Sequence, residues 1–352
     1  MPFIAGCAKT GDPHPPFLLI PKPPTDLSAR QYGDQALLSV SMPAENTDGS
    51  PVTTLATIEI FRLMEQNRAS APLSELEFLK RAQLVFAIPA GKLNSFLREK
   101  TLTFRDPLEF PDRALIYSRS FRYAFRFVND KDQAAGLTNQ TVFSPVPIPP
   151  APQGLSDEIT QDSIRIRWEP PAANMDGSTP PRIAGYNVYR TADPKHFPPN
   201  PINSEPLPAA EGTDRDFQFD TTYYYQVAVV GSRENPQAES PPSMPLQVTP
   251  RDTFPPGAPQ NANAVVDGNT VVLMWVPAAG NDVAGYRVYR MEQGSAGWTV
   301  LQKALVTTLS YRDATVQLGK TYVYRVTAID THGNEGPPAE AMVELPDRWT
   351  IE

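Results

Sequence analysis

The chain has 352 residues, of which 40 are proline, with 20% charged residues, 40% hydrophobic residues and a net charge of −8. The proline share is about twice the usual ~5% and argues against long helices. The apolar share is enough for packed cores, which excludes a wholly disordered chain. The acidic balance, with no Lys/Arg block, argues against a nucleic-acid partner. The length predicts two to four domains.

Residues 1–21 read as an N-terminal arm carrying the only cysteine, Cys7. An intramolecular disulfide and a four-cysteine zinc site are therefore ruled out. The stretch Ile4-Ala5-Gly6-Cys7 resembles a bacterial lipobox, in which the cysteine becomes the acylated first residue of the mature protein. The segment before Cys7 is far shorter than the 7–15 apolar residues of a signal peptide. Met1 as an internal start and Cys7 as a free thiol on a loose arm therefore both stay open. No run of about 18 apolar residues occurs, so no membrane-spanning helix is expected.

Internal repetition is the clearest signal in the chain. Gly185-Tyr-Asn-Val-Tyr-Arg190 recurs as Gly285-Tyr-Arg-Val-Tyr-Arg290. Upstream of each lies a tryptophan close to a proline, Trp168-Glu-Pro and Trp275-Val-Pro. Downstream lie the alternating strands Tyr223–Val229 and Tyr322–Ala328. The Tyr189–Tyr225 and Tyr289–Tyr324 spacings differ by one residue. A diverged first copy shares the turn Asn46-Thr-Asp-Gly-Ser50 with Asn174-Met-Asp-Gly-Ser178, and its strand Ile58–Arg62 with Val188–Arg190. It lacks the tryptophan, and Met42 is the candidate core filler in its place. Phe61 and Phe125 are spaced much more widely than their counterparts. The extra stretch, about 65–105, carries a capping box, Ser74-Glu-Leu-Glu77, with leucines at 73, 76 and 79. It predicts a short, partly helical insertion that decorates one edge of the module.

Proline runs at 145–152 and 250–259 divide the copies and predict stiff linkers in an extended array. The boundaries are 22–147, 150–250 and 256–346, with a tail at 347–352. Short alternating strands with Asp-Gly, Gly-Asn and Pro-Pro turns predict all-β, antiparallel sandwiches.

The tryptophan-proline strand, the Gly-Tyr-x-Val-Tyr-Arg strand and the Tyr-x-Tyr-x-Val strand resemble fibronectin type III modules. Leu318-Gly-Lys-Thr-Tyr322 is similar to the tyrosine corner of that fold, and Asp220-Thr-Thr-Tyr223 is a weaker version. The resemblance implies three tandem immunoglobulin-like β-sandwiches. With the lipobox-like start, the whole resembles bacterial cell-envelope lipoproteins bearing such modules. That resemblance implies a non-catalytic spacer or protein-interaction scaffold, held to a membrane by an N-terminal lipid at the outer membrane or cell surface. Its partner would be an envelope protein or a polysaccharide. A carbohydrate-binding accessory or adhesion role is the alternative.

No His-Glu-x-x-His, Gly-x-Ser-x-Gly or phosphate-cradling loop occurs, so no catalytic residue, cofactor, metal or small-molecule substrate is expected. His14, His196 and His332 sit in loop contexts. The two Asn-x-Asp-Gly-Ser turns hold oxygens suited to calcium, but glycine at a tight turn explains them as well. The candidate binding surface is the outward face of the central strands. Phe61, Tyr189 and Tyr289 occupy equivalent positions there, followed by Arg62, Arg190 and Arg290. Arg122, Arg126, Tyr224, Gln226 and Arg325 are the neighbouring candidates.

Overall fold

A computed structural model describes residues 19–53, 55–66, 71–109, 114–234 and 236–347. Cys7 and His14 lie outside the described residues. The chain is all-β, with short alternating strands building three two-sheet sandwiches.

Strands β1 (Ser28–Tyr32), β2 (Gln35–Ser41), β3 (Leu55–Glu65), β4 (Gln83–Pro89), β5 (Leu97–Arg98), β6 (Thr101–Asp106), β7 (Ser120–Asn129) and β8 (Thr141–Phe143) build the first. Its sheets run β1-β2-β6-β5 and β4-β3-β7-β8. Alternation sends Ala36, Leu38 and Val40 of β2, and Leu102 and Phe104 of β6, onto Ile58, Ile60, Phe125 and Phe127 of the facing sheet. Met42, standing where the other copies have tryptophan, is half-buried against this core.

The second sandwich uses β9 (Gln153–Ile159), β10 (Ile164–Glu169), β11 (Gly185–Thr191), β12 (Glu211–Asp214), β13 (Tyr223–Ser232), β14 (Ala238–Glu239) and β15 (Leu246–Val248). The third uses β16 (Gln260–Asp267), β17 (Thr270–Val276), β18 (Val283–Glu292), β19 (Thr299–Val300), β20 (Ser310–Asp313), β21 (Thr321–Asp330) and β22 (Ala339–Glu344). In both, the tryptophan rests edge-on against the first tyrosine of the repeat, with centroids 5.1 Å apart for Trp168–Tyr186 and 5.3 Å for Trp275–Tyr286. The tyrosine corner forms at Tyr322, whose hydroxyl accepts from the Gln317 N–H at 3.2 Å.

The chain divides into two compact units. One holds the first two sandwiches; the other holds the third with residues 159–164 and 215–221. The expectation of separately linked modules in an extended array therefore fails for the first two. β1 pairs in parallel with β14 in the register Gln31↔Ala238 and Tyr32↔Glu239. The Gln31 N–H donates to Gln237 O at 2.7 Å, and the Gly33 N–H to Glu239 O at 2.8 Å. A sheet of the first sandwich and a sheet of the second thus become one eight-stranded sheet.

The proline linker at 145–152 is not a free spacer either. Ile148 is fully buried beside Gly231, where a Cβ would come within 2.6 Å of it. Its carbonyl accepts from the Met175 N–H at 2.8 Å. Val146 is gripped by the buried Gln31 side chain, which accepts from its N–H at 2.9 Å and donates to its carbonyl at 2.7 Å.

The insertion of the first module is smaller than expected. Helix α1 (Glu75–Arg81) starts at Ser74, whose hydroxyl accepts from the Glu77 N–H, as the capping box predicts. The buried residue of its inner face is Phe78, whereas Leu76 is exposed. A 3-residue spacing of leucines drifts around a 3.6-residue turn, so Leu76 rotates out. Residues 83–106 are largely strands of the sandwich itself.

Candidate functional site

The central strands carry the residues expected to form a binding surface, and the structure separates them. Phe61 is only 9% exposed. It packs under Phe78 and Leu79 of α1, with the Arg126 guanidinium 5.2 Å from its ring centroid. The helix occupies the sheet face that Phe61 would otherwise present, which corrects its placement on an open surface.

Arg62, Arg190 and Arg290 are corrected as well. Each follows the outward aromatic by one residue, so alternation turns it to the inner face. There it meets a buried aspartate that also accepts from a buried tyrosine. Arg62 Nη1 lies 2.8 Å from Asp106 Oδ2, which takes the Tyr123 hydroxyl at 2.8 Å. Arg190 Nη1 lies 2.8 Å from Asp214 Oδ2, which takes Tyr225 at 2.7 Å. Arg290 Nη1 lies 2.7 Å from Asp313 Oδ2, which takes Tyr324 at 2.9 Å. The arginine ending each repeat motif is therefore an internal pin between the two sheets.

The electrostatics follow from burial. Desolvation and the neighbouring aspartate push the Tyr225 and Tyr324 hydroxyls far above their ordinary range. At Asp313, burial acts to raise the carboxyl, but hydrogen bonds from Thr315, Tyr324 and Arg290 outweigh it and hold it below 3.8. A depressed folded value contributes stability that is present above about pH 3.8 and is lost as pH falls through the folded value. Acid unfolding of the third sandwich, followed through Trp275 fluorescence, is expected to lose part of its pH dependence in Asp313→Asn.

Tyr189 and Tyr289 do point outward. The Tyr189 hydroxyl donates to Glu239 Oε1 at 2.6 Å, beside Asn187 Nδ2 at 2.9 Å on the same oxygen. Burial and then the Glu239 carboxylate raise this phenol well above its usual range. Tyr289 repeats the arrangement with Glu335, 2.5 Å away, and Arg287. Of the neighbouring candidates, Arg122 is buried against Glu65 at 3.2 Å. Arg126 pairs with Glu59, and Arg325 pairs with Glu340 while lying 3.9 Å from the Trp298 ring centroid.

Around Tyr189 the shared sheet creates a surface that no single module has. The outward residues of the joined strands form the floor of one groove of about 990 Å³. Arg30, Tyr32 and Arg105 come from the first sandwich, and Tyr189, Gln226 and Glu239 from the second. Its rims are the short strand β5 with the flanking residues Phe96 and Glu99, and the loop at Phe197–Asn200. Arg105 lies over the Tyr32 ring, 4.3 Å from its centroid. Glu239 is occupied by Tyr189 and Asn187. Among the described residues Arg30, Arg98 and Arg105 form no ion pair, so the groove presents three cationic heads and aromatic faces, with the single carboxylate of Glu99 at its rim. Sequence reading found Tyr189 but missed Arg30, Tyr32, Arg98 and Arg105, because nothing local marks β1 as the strand that meets β14.

In each Asn-x-Asp-Gly-Ser turn one aspartate oxygen is used within the turn, while Asn174 Oδ1 accepts from the Arg182 N–H and the buried Asn46 Oδ1 has no donor among the described residues. Asp48 Oδ1 accepts from the Ser50 N–H and hydroxyl, and Asp176 Oδ1 from those of Ser178. Gly49 and Gly177 sit at φ 84° and 83°, the backbone that the turn requires.

Architecture and repeats together define a tandem array of fibronectin type III-like β-sandwiches. No protein-family model matches the chain. The chain is 25% identical over 240 residues to mouse (Mus musculus) Protein sidekick-1, covering 60% of this chain and 11% of that protein. It is 24% identical over 261 residues to zebrafish (Danio rerio) Contactin-5, covering 70% of this chain and 23% of that protein. It therefore spans less than a quarter of the length of these relatives. Among solved structures, a two-fibronectin type III segment of chicken tenascin aligns at 16% identity and TM-score 0.36, covering 55% of this chain and 98% of that one. The FN1–FN3 domains of chicken CNTN1 align at 14% identity and TM-score 0.28, covering 93% and 99%.

Proposed function

We propose that the chain is a non-catalytic, surface-anchored interaction scaffold, and that the groove across the first two sandwiches is its partner-binding face. The observation that carries this reading is the row of arginines without carboxylate partners, set among aromatic rings on a sheet face built from two modules. Rigid aromatics beside arginine are the usual composition of binding hot spots. Cations in a concavity favour an anionic partner, and in a protein of net charge −8 the groove stands out against its surroundings. The partner that fits is a protein segment rich in Asp and Glu. Similarity to sidekick-1 and contactin-5 supports an adhesion-type role, and the lipobox-like Cys7 supports attachment to the cell envelope by an N-terminal lipid.

The test is titration of the full chain with a fluorescent Glu-rich peptide and, separately, with an insoluble-glycan pull-down. Saturable, salt-sensitive peptide binding that weakens at least about tenfold in Arg30→Glu/Arg105→Glu supports the reading. Binding unchanged by the double substitution overturns it. Glycan retention without peptide binding also overturns it, in favour of a carbohydrate-binding accessory. Intact mass and membrane partitioning of the native protein, against Cys7→Ser, test the anchor.

A further inference from the structure

In the unit that holds the third sandwich, three loops converge. The segment entering the module brings Asp252, the turn before β18 brings Asp282, and the turn after β21 brings His332. One ligand atom from each lies within 4.8 Å of the other two. His332 Nδ1 is 3.0 Å from Asp252 Oδ2, and the Asp252 side chain is 1% exposed. The loops are held in place by the backbone. The Thr331 N–H donates to Asp282 O at 3.0 Å. Asn334 Nδ2 donates to Asp252 O at 3.1 Å, and the Phe254 N–H donates to Asp252 Oδ1 at 3.1 Å. His332 also stands edge-on to Phe219, 5.9 Å between centroids.

A second observation is independent of these distances. Asp282 Oδ1 is buried and has no hydrogen-bond donor among the described residues. A buried charged acceptor without a donor carries its full desolvation penalty, so such oxygens are nearly always bonded to a donor or a cation. No Lys or Arg forms an ion pair with Asp282 or Asp252 among the described residues.

We infer that Asp252, Asp282 and His332 bind a divalent transition-metal ion of the zinc class. An imidazole with two carboxylates is a mixed nitrogen–oxygen set that suits zinc and its neighbours, whereas calcium and magnesium select oxygen alone. Ligands about 2.0–2.2 Å from a metal stand roughly 3–3.5 Å apart. The His332–Asp252 pair already has that spacing, and Asp282 reaches it by a small side-chain movement. The ion supplies the missing partner of Asp282 Oδ1, and water completes its shell on the exposed side of His332. Its role is to cross-link three loops at one end of the module.

The experiment is calorimetric titration of metal-stripped full chain with zinc chloride, in wild type, Asp282→Asn, His332→Ala and His196→Ala. Circular dichroism confirms that each variant is folded. The expected result is one saturable site, weakened at least about tenfold in Asp282→Asn and in His332→Ala and unchanged in His196→Ala. Free zinc at 100 times Kd should raise the folded-to-unfolded ratio of the unit about 100-fold in wild type, and by less in either ligand variant. Absence of saturable binding at micromolar zinc overturns the assignment. Binding unchanged in both ligand variants also overturns it.

Discussion

Asp313→Ala is expected to destabilise the third sandwich by about 3–5 kcal/mol, the cost of leaving one member of a buried ion pair without its partner. Asp313 is 2% exposed and holds two groups at once, the Arg290 guanidinium and the Tyr324 hydroxyl. Removing it leaves the guanidinium half-sheltered at 19% exposure and the phenol wholly buried. For a sandwich of this size the melting temperature should fall by at least about 10 °C. Replacing both charges, as Arg290→Met with Asp313→Leu, should cost less than Asp313→Ala alone, because no orphaned charge remains. Equal losses in the single and double variants would show that the carboxylate serves packing alone. The same contrast is expected at Arg190–Asp214 in the second sandwich.

Gln31→Ala is expected to uncouple the first two sandwiches. Gln31 is 1% exposed and makes three hydrogen bonds, two to Val146 and one to Gly33. Each buried group left unsatisfied costs about 1–3 kcal/mol, so the junction should weaken by several kcal/mol. Calorimetry should then resolve two transitions where the native unit gives one, and proteolysis should open the 145–152 linker. The groove is split at the same junction, so Glu-rich peptide binding should fall although Arg30 and Arg105 are untouched. A single unshifted transition would mean that the β1–β14 pairing holds without the side chain.

Both predictions rest on residues that the sequence exposed unequally. The repeats of tryptophan, Gly-Tyr-x-Val-Tyr-Arg and Tyr-x-Tyr were legible because each module fills its core with the same residues in the same register. The role of the arginine was misread, although alternation already placed it with Val188 and not with Tyr189. The missing clue was its acidic partner. Asp214 and Asp313 stand the same distance, 11 residues, before Tyr225 and Tyr324, and Asp106 stands 17 before Tyr123. Phe61 was misread because α1 comes from a segment present only in the first copy, and a helix that covers a sheet face leaves no mark on the strand beneath it. The groove was illegible for a different reason. It depends on pairing between Gln31–Tyr32 and Ala238–Glu239, two residues each and about two hundred positions apart in the chain. Asp252, Asp282 and His332 are likewise gathered by three turns that no local spacing connects.

The junction also bears on how the protein can be divided. In each of the first two sandwiches one strand, β1 or β14, leaves a backbone edge unpaired unless the other covers it. A cut inside the proline run would therefore expose both edges, and exposed edges seek partners in neighbouring copies. Fragments trimmed to single repeats should self-associate where the intact pair stays monodisperse. The piece in which both edges are covered is the pair, although the repeat in the sequence is the single module.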